Sequence, residues 1–236
     1  TNISDRCRAD IMKTAISTQA GIAASIMVIV GICAVFAGSA LFDKVSLVQS
    51  EEPPDAVAQK LVAAAIERTT HNVRYDGSYR KIAYPGGDVP DNVGVCTDVI
   101  VRSYRALGID LQKEVHEDMR RHFSLYPKKW GLKKPDTNID HRRVPNLQTF
   151  FTRHGQKLPV SDDAEAYRPG DLVTWMLPGN LPHIGIVTDR RSEDGLRPLI
   201  VHNIGAGTVL EDMLFAYEIT GHYRYPVKEA RRRLNE

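Results

Sequence analysis

A chain of 236 residues with 42% hydrophobic and 25% charged positions has the composition of a globular protein, which excludes disorder as its default state. Its 31 basic and 29 acidic side chains leave a formal charge of +2, too little to neutralise a run of phosphates, so nucleic acid is not an expected partner.

No charged residue occurs between Lys13 and Asp43, and "AGIAASIMVIVGICAVFAGSALF" (Ala20 to Phe42) is almost wholly apolar. A spanning helix needs roughly 20 such residues and a signal-peptide core about 7 to 15, so length favours a retained membrane anchor. Against that, "GSA" at Gly38 to Ala40 would serve a signal peptidase. Arg6, Arg8 and Lys13 precede the run and Asp43, Glu51 and Glu52 follow it, which puts the N-terminus inside and the rest outside. The expected organisation is a short cytoplasmic N-terminus (1–13), a transmembrane anchor or signal peptide (14–42), a linker (43–54), one folded domain (55–226) and a polar tail (227–236). The domain is expected to be extracytoplasmic, in the periplasm or cell envelope, anchored in the inner membrane or exported.

A helix is predicted from about Asp55, with Val57, Leu61, Val62, Ala65 and Ile66 at helical spacing and Asp55 as its cap. "YRKIAYPGGDVPDNVG" (Tyr79 to Gly94) predicts a short extended piece and then a loop that delivers the chain to Cys96. From Cys96, the residues Val99, Ile100, Tyr104 and Leu107 share one helical face, and Gly108 supplies the stop. Further helices fit "QKEVHEDMRRHFSLY" and "VPNLQTFFTRHG", separated by the surface loop "PKKWGLKKPDTNIDHRR". The period then changes. "DLVTWML", "HIGIVTD", "PLIVHNI" and "ITGHYRY" predict an antiparallel meander, and a helical half followed by a sheet half is an α+β layout.

Cys7 precedes the apolar run and Cys33 lies within it, so Cys96 is the only thiol of the outer domain. In an oxidising compartment an unpaired cysteine is either buried and inert or kept for its reactivity. A helix start, with its positive dipole end, and a nearby imidazole would lower the thiol pKa. Thr97 and Asp98 suit a first helical turn, and Asp98 is assigned no catalytic role. Of eight histidines, His183 and His202 are embedded in predicted strands, whereas His116, His122, His141 and His154 lie in polar helix or loop contexts. Two strand histidines and a helix-start cysteine match the nucleophile, base and orienting group of covalent catalysis. Metal binding is disfavoured, because His116 and His122 are not four residues apart and no second cysteine is available to close a zinc site; no cofactor is expected.

"RPGDLVTWML", "PHIGIVTD" and "LIVHN" resemble the NlpC-type family of cell-wall cysteine peptidases, which have a papain-like fold. "YPGGDVPDNVGVCTDVIVRSYRALGIDL", "NIDHRRVPNL" and "PHIGIV" more closely resemble the bacterial family catalogued as domain of unknown function 1287, over about Ala56 to Tyr225. The resemblance implies N-terminal helices packed on an antiparallel sheet, with Cys96 as nucleophile, His183 as general base and His202 orienting His183. One departure is that the NlpC-type nucleophile typically follows an Asp, as in "D-C-S-G", whereas Val95 precedes Cys96. The implied activity is hydrolysis of an amide bond in peptidoglycan or its peptides, either in the stem peptide or between sugar and first alanine, through a Cys96 thioester. A wall-binding module without catalysis and a thioester acyltransferase are the alternatives.

Tyr84, Asp140, His141, Arg142 and Arg143 are the candidate substrate-binding residues, since an Arg fork binds stem-peptide carboxylates in two-point fashion. A solvated loop closing into a helix is the competing reading of Asp140 to Arg143. Strand alternation places His202 on a face with Ile200 and Asn203 on the other with Val201, so only one of the two can meet His183. Gly185, on the His183 face, is expected to leave room for the Cys96 helix.

Overall fold

The structure, a computed structural model, describes residues 54–225, with backbone only for Pro54 and Asp55. The anchor-or-signal segment, the linker before Pro54 and the polar tail lie outside the described residues. Among the described residues, no helix is long and apolar enough to cross a membrane.

Helix α1 (Pro54–Glu67) begins one residue earlier than predicted, so Asp55 sits in its first turn rather than at its cap. Its apolar stripe buries Leu61, Val62 and Ala65. Two short parallel strands, β1 (Arg74–Tyr75) and β2 (Val93–Gly94), bracket a loop that takes the place of the extended piece expected after Tyr79. Helix α2 (Cys96–Ala106) starts at Cys96, and Gly108 adopts φ +80° just beyond its end, the left-handed geometry that lets the chain turn away. Helix α3 (Leu111–His122) is capped by Asp110, whose side chain accepts from the Lys113 N–H. Helix α4 (Val144–His154) carries Pro145 in its first turn, where a missing N–H costs nothing.

The strands that follow are β3 (Gln156–Leu158), β4 (Leu172–Leu177), β5 (Leu181–Arg191), β6 (Pro198–Asn203), β7 (Thr208–Glu211) and β8 (Glu218–Arg224). They form one antiparallel sheet in the order β3-β8-β4-β5-β6-β7. The expected meander of four runs therefore holds only for the first three, β4, β5 and β6. The last strand crosses back to lie between β3 and β4, and β3 and β7 were not anticipated because both are short and half-exposed.

Among the described residues, α1, α2 and α4 lie on one face of the sheet and α3 packs against α2 and α4 on that side. Ile100, Tyr104, Leu111, Leu147, Phe150 and Phe151 pack there against Leu172, Ile184, Ile186 and Val201. On the other face a smaller cluster gathers Val173, Trp175, Val187 and Ile200 under Tyr167, Met213 and Leu214. Trp175 Nε1 donates to the Leu214 carbonyl at 2.9 Å, which satisfies the one polar atom this ring buries. The molecule is thus α+β, and β5 presents alternate residues to the two layers.

Candidate active site

The first turn of α2 is built around Asp98. Its carboxylate accepts the Val95 N–H at 2.6 Å, tying down a backbone donor ahead of the helix, and receives both Nε and Nη2 of Arg142 at 2.8 and 2.9 Å. Arg142 also donates to the Asp76 and Ser78 carbonyls, and Thr97 Oγ1 donates to the Arg142 carbonyl. These bonds fix Cys96, one residue after Val95, against the sheet.

The backbone N–H groups of Ile184, Thr97 and Cys96 itself pull the thiol pKa downward. All three favour a thiolate, yet burial outweighs them, the Asp98 carboxylate adds to it, and the thiol is pushed up to about 12. The lowered thiol pKa expected from the helix dipole is therefore reversed. Cys96 is 5% exposed, so the cost of desolvating a charge decides the sign.

Ile184 follows His183 directly, and the pleat sends the two side chains to opposite faces. Ile184 joins Cys96 under the helices, whereas His183 joins its cross-strand partner Trp175. On that face His183 Nε2 meets His202 Nδ1 at 2.9 Å, the rings nearly perpendicular. His202 Nε2 in turn meets Glu211 Oε1 at 2.8 Å. Burial, and then the His202 ring, hold His183 down at about 3, and burial also lowers His202 against the pull of Glu211. Both imidazoles are neutral at pH 7. No hydrogen bond joins Cys96 to His183 among the described residues; the thiol reaches the histidine pair through the Ile184 peptide.

Asn203 sits on the opposite face from His202, buried, with Oδ1 accepting the Gly205 N–H. Gly185 serves β6 rather than the Cys96 helix, which corrects the expectation above. A Cβ there would stand 2.6 Å from Ile200 Cγ2, 3.0 Å from the Val201 oxygen and 3.2 Å from His202 Cβ, so the missing side chain lets His202 approach β5.

A cleft of about 240 Å³ opens beside Cys96, lined among others by Tyr75, Trp130, Arg142, Arg143 and Pro182. Arg142 is committed to Asp98 and is a scaffold residue, not a free carboxylate fork. Arg143 keeps some exposure, pairs with Asp140 at 3.1 Å and lies 4.1 Å over the Trp130 ring. Asp140 itself is buried and, mainly by burial, raised to about 6. His141 is buried and held at about 4. Tyr84 is 40% exposed and packs edge-on against His116, away from the cleft lining. The solvated-loop reading of residues 140–143 does not hold either, since Asp140, His141 and Arg142 are all buried. Tyr75, Trp130 and Glu211 were not singled out in the sequence. Trp130, a lone aromatic in a loop of lysines, was the only one with a visible signal.

The family model described as domain of unknown function 1287 matches residues 62–225. The chain belongs to this family. Its matched span contains the thiol, both histidines and Glu211. The chain is also 54% identical over 154 residues to a protein of Escherichia coli strain K12 described as uncharacterized protein YijF, covering 65% of this chain and 75% of that one.

Proposed function

We propose that the domain is an NlpC-type, papain-like cysteine hydrolase that cleaves an amide bond in peptidoglycan, acting outside the cytoplasm behind its N-terminal apolar segment. The observation that carries this reading is a helix-start thiol in the wall of a cleft, packed in one cluster with Ile184, the residue after a histidine hydrogen-bonded to a second histidine. A cysteine used only for packing has no need of a place in a cleft wall.

With thiol and imidazole both neutral at rest, the nucleophile forms during attack. Sγ adds to the substrate carbonyl carbon and the thiol proton is relayed to His183, to which Cys96 makes no hydrogen bond at rest and which then protonates the leaving amine. Water, deprotonated by the same imidazole, attacks the thioester, and the acid is released as the C–S bond breaks and the imidazolium returns that proton to sulfur. The N–H groups at the α2 start suit the developing oxyanion. Arg143 at the cleft rim is the guanidinium best placed for a substrate carboxylate, exchanging its Asp140 partner for it.

The test is mass spectrometry of muropeptides incubated with the protein and with its Cys96→Ala variant. New products that carry one added water and vanish in the variant support hydrolysis. Products conjugated to an amine would instead establish acyl transfer, and an unchanged muropeptide profile removes the catalytic reading in favour of a wall-binding module.

A further inference from the structure

The His183–His202 pair ends on a carboxylate that no motif marked. Glu211 stands on β7 opposite Ile200, while His202 stands opposite Val209, so Glu211 is the diagonal neighbour of His202 on the same face. A long side chain spans that diagonal. The carboxylate is about half exposed, whereas His202 is fully buried. We propose that Glu211 is a positioning residue that fixes the proton arrangement of both histidines, so that His183 Nδ1 is the basic nitrogen of the site; this rests on the hydrolase reading above.

The argument is one of donors and acceptors. An ionised carboxylate only accepts, so the 2.8 Å contact requires the proton of His202 to sit on Nε2. A neutral imidazole has one proton, which leaves His202 Nδ1 as an acceptor. The 2.9 Å contact to His183 Nε2 then requires that nitrogen to be the donor. His183 is left with a bare lone pair on Nδ1 and no other ring nitrogen to offer. Reversing any one proton in this chain would place two lone pairs or two hydrogens face to face. When His183 takes the thiol proton on Nδ1, both its ring nitrogens carry hydrogen, and Nε2–H still points at the His202 acceptor. The new positive charge is then backed, one ring away, by the Glu211 carboxylate. When the leaving amine takes that proton, the ring returns to its starting state.

Glu211→Ala removes the acceptor and Glu211→Gln keeps an acceptor oxygen while losing the charge. Long-range proton–nitrogen correlation spectra of the full chain labelled in its histidines report which ring nitrogens are protonated. In the parent protein His183 and His202 should both be protonated on Nε2. Glu211→Ala should populate the Nδ1–H form of both, with kcat on muropeptide amide hydrolysis falling at least tenfold and KM changing little. Glu211→Gln should keep the parent tautomers and recover part of kcat. Parent tautomers in Glu211→Ala, or an unchanged kcat, would overturn the proposal. If the parent hydrolyses no muropeptide, the hydrolase reading fails, while the spectra still decide whether Glu211 sets the tautomers.

Discussion

Cys96 shows how a residue's surroundings overrule its position in sequence. A helix start predicts an acidic thiol, but at 5% exposure the loss of water outweighs the dipole and three N–H donors, and the thiol stands near 12. Iodoacetamide alkylation of the free protein should accordingly climb about tenfold per pH unit from neutral into alkaline solution, following the thiolate fraction. A plateau beginning near pH 4 would mean a resting thiolate–imidazolium pair. Cys96→Ala should keep the fold, because little volume is removed, and abolish amide hydrolysis, checked by circular dichroism beside the muropeptide assay. His202→Ala should lower kcat strongly, on the scale of the roughly 10⁴ lost when a serine triad's orienting group is changed, and Asn203→Ala much less, because Asn203 faces away from His183. The helix start at Cys96 and the His183–His202 pairing were legible because each rests on local geometry that sequence fixes, a helix start or one parity of a strand; that the thiol and His183 fall on opposite sides of β5 was not. Tyr75, Trp130 and Glu211 reach the site through strand pairing and the path of a loop, which local pattern does not encode.

At the scale of elements, the first turn of α2 depends on a buried ion pair. Asp98 and Arg142 are 4% and 2% exposed in their side chains, and their fork ties the helix start to the segment before α4. Asp98→Asn leaves a guanidinium without its charge partner and should cost about 3–5 kcal/mol in urea unfolding, the usual penalty for breaking such a pair. The sequence suggested Asp98 as a helix-start residue, which it is, but gave no hint of its partner 44 residues away. The strands tell a similar story. β4, β5 and β6 were legible from their apolar runs, whereas their facing depended on parity, and Gly185 was assigned to the wrong neighbour because a glycine does not reveal which surface needs the space. Gly185→Ala should destabilise the domain by ~1–3 kcal/mol through contact with Ile200 and the Val201 backbone, and should lower activity by displacing His202.

For the whole molecule, the buried histidines set an acid limit. His183 at about 3 and His141 at about 4 lie below their ordinary 6.5, so from pH 6.5 downward the unfolded chain binds protons that the native state refuses. Stability falls as pH falls through that window. Asp140 acts the other way, because its carboxyl, raised to about 6 from 3.8, binds a proton in the folded state first. His116 and His202 are also lowered by burial, so four histidines against one carboxyl leave a net loss, and the melting temperature should decline between pH 6.5 and 4; a flat profile there would contradict the burial of these rings. The sheet order adds a constraint in time. Ribosomes deliver a chain from its N-terminus, yet β8, the last strand among the described residues, is an interior strand flanked by β3 and β4. Tyr225, just beyond it, takes the Tyr104 hydroxyl on its carbonyl and packs edge-on against Phe150 and tilted against Phe151, so helices made much earlier also wait for this end of the chain. A nascent chain stopped before Glu218 should therefore remain protease-sensitive throughout, and the domain should gain its resistance in one late step rather than piece by piece during synthesis.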